Sequence, residues 1–299
     1  MAAPASAAPG SVGTAPAGRA QLVRLEITDF RNIAHATLDV PPDGIAVVGD
    51  NGQGKTNLLE AVAYLELVRS MRGARDRDLV RFGAETFHIA ASLSGTRVRR
   101  VAAAASRSGE KRVSLDGVEA PRLGDALGAL PSVCVSPADV GLVAGGPAER
   151  RRMMDIILAL TDAAYLAGLR QYRAALARRN AALRAPRQGA AAVHAWDAAL
   201  AEHGATLVRA RHAWAAEFGG AFGRLASTIG EREPMRMRYE TAFGAHDDVA
   251  AEIAEALEAS SGLDAQRGAT QRGPHRDDLA LTLGARPLKT TGSAGQQRT

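Results

Sequence analysis

The chain has 299 residues, 46% hydrophobic and 23% charged, with 37 basic side chains against 32 acidic ones and a single cysteine, Cys134. This mixture excludes a disordered or low-complexity chain, and the lone cysteine excludes an intrachain disulfide or a cysteine-built metal site. No window reaches the roughly 18 apolar residues of a membrane helix, and the net charge of +5 favours a polyanionic partner only where that charge clusters.

In chain order, residues 1–20 are mostly Ala, Pro, Gly and Ser, without the basic start and Leu/Val core of a signal peptide. They are expected to be a disordered tail, or to follow a start codon placed too early. Val23, Leu25 and Ile27 alternate with Arg24, Glu26 and Thr28, and Ala36, Leu38 and Val40 alternate with Thr37 and Asp39. Both stretches predict half-buried strands, joined through Asp29-Phe30-Arg31-Asn32. The apolar run Ile45-Ala46-Val47-Val48 predicts a buried strand.

Directly after it, Gly49-Asp50-Asn51-Gly52-Gln53-Gly54-Lys55-Thr56 matches G-x-x-x-x-G-K-[ST] in full. A helix-favouring stretch follows from Asn57 to Leu65, with Leu58, Val62 and Leu65 on one face. Strand, glycine loop and helix is the context in which this motif binds a nucleotide. Glycines let successive N–H groups turn toward a phosphate, and the helix dipole points the same way. Lys55 reaches the β- and γ-phosphates, and the Thr56 hydroxyl is a ligand for Mg²⁺. Only three of the 37 basic residues are lysines, so a lysine here stands out in an arginine-rich chain. Arg31 is a weaker candidate for a second phosphate contact, against the alternative of a solvated loop arginine.

Beyond the loop, Phe87–Leu93, Val98–Val101 and Arg112–Leu115 predict a meander with turns at Ser94-Gly95, Ser108-Gly109 and Asp116-Gly117. Cys134, between Val133 and Val135, is expected to be a buried structural thiol in a reducing cytoplasm. From Glu149 to about Gly230 the pattern is helical. Tyr165, Leu169, Tyr172, Leu176 and Leu183 form a heptad-like seam with Arg179 in one slot, and Val193, Trp196, Leu200, His203, Leu207, Ala210 and Trp214 form a second. With Pro186 and Gly189 breaking between them, the two predict an antiparallel helical arm. His203 is expected to be packed or edge-solvated, and the other histidines lack metal-ligand spacing. Leu279–Leu283 returns to strand.

These pieces, in this order, resemble the RecF family of bacterial DNA replication and repair ATPases, relatives of the SMC and ABC heads. The resemblance spans about residues 21–299. It is carried by Asp29-Phe30-Arg31-Asn32, the glycine loop, Ser136-Pro137-Ala138-Asp139, Gly146-Pro147-Ala148-Glu149-Arg150-Arg151-Arg152, Arg178-Arg179-Asn180-Ala181-Ala182-Leu183, Gly273-Pro274-His275-Arg276-Asp277-Asp278 and the terminal Ser293-Ala294-Gly295-Gln296-Gln297-Arg298-Thr299. It implies an α/β fold: a P-loop ABC/SMC-type ATPase head with an antiparallel β meander and an inserted helical, coiled-coil-like arm. The expected divisions are a tail at 1–20, a first head lobe with the glycine loop at 21–148, a helical arm with the second-lobe insertion at 149–265 and a return to the head at 266–299. Gly49, Asp50, Asn51, Gly52, Gln53, Gly54, Lys55 and Thr56 would hold ATP and Mg²⁺. Ser293, Gly295 and Gln296 would form the signature that meets the γ-phosphate bound by a second copy, in an ATP-dependent homodimer.

The chain stops within that signature, before the family's Walker B aspartate and catalytic glutamate. The resemblance therefore implies a fragment or truncated product, a loop strand without its parallel neighbour, and hydrolysis slower than the family's weak DNA-dependent ATPase activity. The implied role is ATP-switched binding of single- and double-stranded, gapped DNA in replication, recombinational repair and the SOS response, with RecO and RecR as partners, RecA as an indirect one, and no membrane. Basic residues cluster at Arg69–Arg81, Arg97–Arg112 and Glu149–Arg187. Arg72, Arg75 and Arg77 are the first DNA-contact candidates, and Arg99 and Arg100 the next. The alternatives are the nucleotide-binding subunit of an ABC-type transporter, a small-molecule kinase and an inert fragment.

Overall fold

The computed structural model describes residues 20–185, 189–293 and 295–297. Of the expected tail, 1–19 lies outside the described residues, as do Pro186 in the helical breaker and Ala294, Arg298 and Thr299 at the end. The chain divides into two compact units, Met1–Cys134 and Val135–Thr299.

The first unit contains β1 (Gln21–Phe30), β2 (Ile33–Asp39), α1 (Lys55–Leu67), β3 (Thr86–Ser94), β4 (Arg100–Ser106), β5 (Lys111–Leu115) and β6 (Val118–Glu119). The strands form one six-stranded sheet in the order β2-β1-β3-β4-β5-β6, and every pairing is antiparallel. Alternate residues point to one face, so Leu25, Ile27, Ile89, Val101, Ala103 and Val113 meet Leu58, Ala61, Tyr64 and Leu65 of α1 in one core. Phe30, Tyr64 and Phe87 pack edge to face at its centre, with ring centroids 5.2 to 6.4 Å apart. The predicted meander is present as β3, β4 and β5.

Three expectations in this unit need correction. The β1–β3 register shifts between Leu22 and Arg24, and this irregularity leaves Val23 exposed instead of continuing the buried row of Leu25 and Ile27. Ile45–Val48 is not a buried strand: Ile45 is 47% and Val48 89% exposed, and the run joins no ladder among the described residues. A strand needs a neighbour for its N–H and C=O groups, and both sides of β1 are already taken by β2 and β3. Cys134 is exposed, as are Val133 and Val135, because the run pairs with no strand among the described residues.

The second unit contains α2 (Val140–Ala144), α3 (Pro147–Thr161), α4 (Ala163–Leu183), α5 (Gly189–His194), α6 (Asp197–Thr228), β7 (Met235–Glu240), α7 (Val249–Ala259), α8 (Ser261–Arg267), β8 (Asp278–Leu283), β9 (Arg286–Pro287) and α9 (Leu288–Thr291). Strands β7, β8 and β9 form a small antiparallel sheet. Helices α4 and α6 are the predicted pair, and they run antiparallel: Arg179 bonds Asp197 near one end and Tyr165 bonds Arg211 near the other. The absence of side chains at Gly168 and Gly204 lets them approach closely. A Cβ at Gly204 would lie 3.3 Å from the Tyr172 ring, and one at Gly168 would lie 3.2 Å from Thr206.

This hairpin is embedded along its length. Met154 and Leu158 of α3, Val249, Ile253 and Leu257 of α7, Tyr239 of β7 and Leu279 of β8 share its core. Helix α6 accordingly buries Ala201, Ala205 and Val208 beside the predicted seam residues Leu200 and Leu207, and His203 is half-buried. Strand β7 lies just beyond the helical pattern that ends at about Gly230, in a stretch for which no element was expected. Its period-two pattern, Met235, Met237 and Tyr239 against Arg236, Arg238 and Glu240, was the available signal.

Candidate nucleotide-binding site

The glycine loop is built on positive backbone φ. Gly49, Gly52 and Gly54 have φ of 149°, 82° and 100°, a region that side-chain-bearing residues seldom adopt. Gly54 is also closed to a side chain, since a Cβ there would lie 2.7 Å from Asn32 Oδ1. Asn32 ties the loop down: its Nδ2 donates to the Gly52 carbonyl at 3.0 Å, and its Oδ1 accepts from Asn57 Nδ2 at 2.8 Å. Gly54 caps α1 without a side-chain hydrogen bond, so the first N–H groups of that helix are left for another acceptor.

Lys55 Nζ donates to the carbonyls of Gly49 and Asp50, both at 2.7 Å. An ammonium has three N–H groups, so one is left for an incoming oxygen. Thr56 is exposed in the first turn of α1, and its hydroxyl has no partner among the described residues.

Arg31 is not a solvated loop arginine. Its Nε and Nη2 pair with the two carboxylate oxygens of Glu60, each at 3.0 Å, and its Nη1 reaches the Asp78 carbonyl at 3.4 Å. Glu60 is fully buried in α1, accepts from Ser70 Oγ at 2.5 Å and lies 3.5 Å from Arg72. Burial alone would raise the Glu60 pKa, but the hydrogen bonds from Arg31 and Ser70 outweigh it and hold the carboxyl below its ordinary value. Sequence reasoning missed Glu60, although a carboxylate within the apolar run Leu58 to Leu65 was a signal that a cation would be found beside it.

The DNA-contact candidates occupy two places on the first unit. Arg72 bonds Asn57 Oδ1 at 3.3 Å and so touches the loop helix itself. Arg75 and Arg77 are exposed in the segment that follows, Arg77 with a 3.7 Å pair to Asp78. Arg99 and Arg100 are exposed at the start of β4, where Arg100 pairs with Glu26 at 2.6 Å.

In the second unit the remaining motifs knit the fold. Arg150 grips Asp278 through two bonds of 2.7 and 2.8 Å. Arg179, expected as a polar slot on the seam, is wholly buried. It bonds Asp197 at 2.7 Å, Asp264 at 2.6 Å and Thr270 at 2.9 Å, and its Nη2 has no partner among the described residues. His275 faces the Thr270 carbonyl through Nε2 at 3.0 Å and the Tyr172 hydroxyl through Nδ1 at 2.6 Å. Burial lowers its pKa to about 4, so the ring is neutral, donating from Nε2 and accepting at Nδ1. At the signature, Ser293 N donates to Gln296 Oε1 at 2.9 Å and Gln296 N donates to Ser293 Oγ at 3.2 Å, a capping box that starts a helical turn. Gln296 Nε2 also donates to Glu231 at 3.0 Å.

No family model matches the chain. The DNA replication and repair protein RecF of Anaeromyxobacter sp. (strain K) is 40% identical over 292 residues, covering 93% of this chain and 77% of that protein. The RecF of Chlamydia trachomatis serovar D is 32% identical over 283 residues, covering 93% and 76%. Among solved structures, the recombination mediator protein RecF-ATPrS in the RecFOR pathway superposes with a TM-score of 0.86 at 26% identity, over 94% of this chain and 78% of that one. Its RecF-ATP counterpart gives 0.84 at 26% identity, over 93% and 77%. At this identity, over this much of each sequence and with the same fold, the chain belongs to the RecF family of DNA replication and repair proteins.

Proposed function

We propose that this chain binds ATP together with Mg²⁺ in the loop from Gly49 to Thr56, and that the bound nucleotide switches its grip on DNA. One observation carries the reading: a complete phosphate loop, with left-handed glycines and the remaining Lys55 N–H, stands at the uncapped N-terminus of α1. The related RecF structures, a RecF-ATP and a RecF-ATPrS complex, support ATP as the nucleotide. Thr56 is suited to give the magnesium ion one oxygen ligand, the rest coming from phosphates and water, as is usual for this hard cation. Arg31 serves as the brace of Glu60 and hence of the loop helix.

On this proposal Ser293, Gly295 and Gln296 face the nucleotide of a second copy, and ATP favours the dimer. Arg72, Arg75 and Arg77 contact DNA phosphates, with Arg99 and Arg100 as further contacts, and the associates RecO and RecR follow from the RecFOR setting of the related structures. The deciding experiment is a titration of ATP and Mg²⁺ against wild type and Lys55→Ala. Loss of the ammonium leaves phosphate charge uncompensated in a partly desolvated site, and affinity should fall by about tenfold or more, since a charge-assisted hydrogen bond contributes roughly 1.5–3 kcal/mol. Equal affinities would end the proposal.

A further inference from the structure

The second unit contains a cavity of about 260 Å³ that none of the roles above uses. Four arginines line it: Arg151 and Arg152 from α3, Arg173 from α4 and Arg211 from α6. Asp155 is the one carboxylate in the lining, and it is already shared. It accepts from Arg211 at 2.7 Å, from Arg173 at 2.7 Å and from the Tyr165 hydroxyl at 2.5 Å. His275, also in the lining, is held neutral between Tyr172 and the Thr270 carbonyl. Within the lining, four guanidinium groups meet one carboxylate, and just outside it Asp277 lies 3.9 Å from Arg211.

The donor inventory shows where capacity remains. Arg211 is deeply buried, and each of its nitrogens is engaged, by Tyr165, Asp155 and the Pro274 carbonyl. It is the fixed floor of the cavity. Arg151 gives one bond, to the Asp277 carbonyl at 2.5 Å, and Arg173 gives one, to Asp155. Arg152 is exposed and has no hydrogen bond or ion pair with any described residue. Each guanidinium carries five N–H groups in a flat fork, so Arg151, Arg152 and Arg173 retain most of theirs. Burial, and next to it the charge of Arg211, lowers the Arg151 pKa, against the opposing pull of Asp278, Asp277 and Asp155.

We propose that this cavity is a phosphate-binding site, filled by the phosphate group of a mononucleotide or of a DNA strand. Guanidinium forks match phosphate oxygens two by two. The cavity falls below the roughly 300 Å³ at which sites for drug-sized ligands begin, so it admits a phosphate and its sugar and not a large ligand. Leu169, Leu176 and Leu207 belong to the apolar part of the lining, which suits the sugar. The cavity shares no residue with the glycine loop, which belongs to the other unit.

The test uses thymidine 5′-monophosphate as probe, together with a short single-stranded oligonucleotide with and without a 5′-phosphate. The proteins are wild type, Lys55→Ala, Arg152→Glu and Arg173→Gln. Arg152 has no partner to lose, so its replacement should leave the thermal melt unchanged. The proposal expects Lys55→Ala to bind the monophosphate like wild type, Arg152→Glu to weaken it by about tenfold or more, and Arg173→Gln to weaken it in the same direction. A loss in Arg152→Glu confined to the 5′-phosphorylated oligonucleotide supports the site with a terminal phosphate as its source. An equal loss for both oligonucleotides supports it with backbone phosphates as the source. Binding that disappears in Lys55→Ala and survives in Arg152→Glu would overturn the proposal, as would no binding of any of the three probes.

Discussion

Glu60 shows how a single side chain decides the state of its neighbours. A buried carboxylate is costly unless paired and hydrogen-bonded, and here Arg31 supplies two bonds and Ser70 a third. Arg31 itself has a φ of 57°, a left-handed conformation that the surrounding structure must hold in place. Arg31→Ala should destabilise the protein by about 3 kcal/mol at neutral pH, the order found when one partner of a buried pair is removed. Urea denaturation reads this directly, and unchanged stability would show the pair to be idle. The pH dependence has a definite sign. The folded pKa of Glu60 is depressed below its ordinary 4.5, so its stabilisation is complete above that value and is lost as pH falls through the lower folded pKa. The cost of Arg31→Ala should therefore shrink in acid, where the carboxyl is protonated with or without its partner.

At the scale of elements, α4 and α6 are joined by polar anchors as well as by their seam. Arg179 of α4 reaches Asp197 at the start of α6, Asp264 of α8 and Thr270 beyond it. Asn180, next in sequence, accepts from both the backbone N–H and the hydroxyl of Thr270 at 2.8 Å. Two adjacent residues of one helix thereby hold three other parts of the chain. Arg179→Ala leaves Asp264 buried without its cation and should cost about 3–5 kcal/mol. Arg179→Met, paired with Asp264→Leu, fills the same space without a charge and should cost much less. Thermal melts of the two variants check this. Equal loss in both would mean that the charged hydrogen bonds themselves, and not packing volume, are what Arg179 contributes.

At the scale of the whole molecule, the boundary between the two units falls in an exposed stretch. Val133 and Val135 are 92% and 82% exposed and belong to no strand or helix. Exposed, irregular backbone is where proteases act first, so elastase at low dose should cut beside these valines before cutting α1 or α4. First cuts within α4 would overturn that reading. The proposed DNA contacts are also tested on the intact chain. Arg72 touches Asn57 and Glu60, so replacing it would disturb the loop helix as well. The double variant Arg75→Gln, Arg77→Gln separates the effects. If both arginines neutralise duplex phosphates, the slope of log K against log salt should become shallower by about 2, close to 0.9 for each phosphate no longer neutralised. An unchanged slope moves the DNA surface elsewhere.

Features that depend on near neighbours in the chain were legible in the sequence. The glycine loop needs left-handed backbone at fixed positions, and Gly49, Gly52 and Gly54 declare it. The meander follows from period-two alternation and its turns, and the α4–α6 hairpin from two seven-residue patterns with a break between them. Other features were settled by groups that arrive from far along the chain. Ile45–Val48 reads as a buried strand, but burial and pairing require a partner, and β1 has none to give. Cys134 sits in an apolar run that the fold leaves exposed among the described residues. Glu60 meets Arg31 across 29 residues and Arg179 meets Asp264 across 85, separations over which composition and periodicity carry no information. The arginine-lined cavity belongs to the same class. Its four arginines come from three helices, and they share Asp155 only once those helices are packed together.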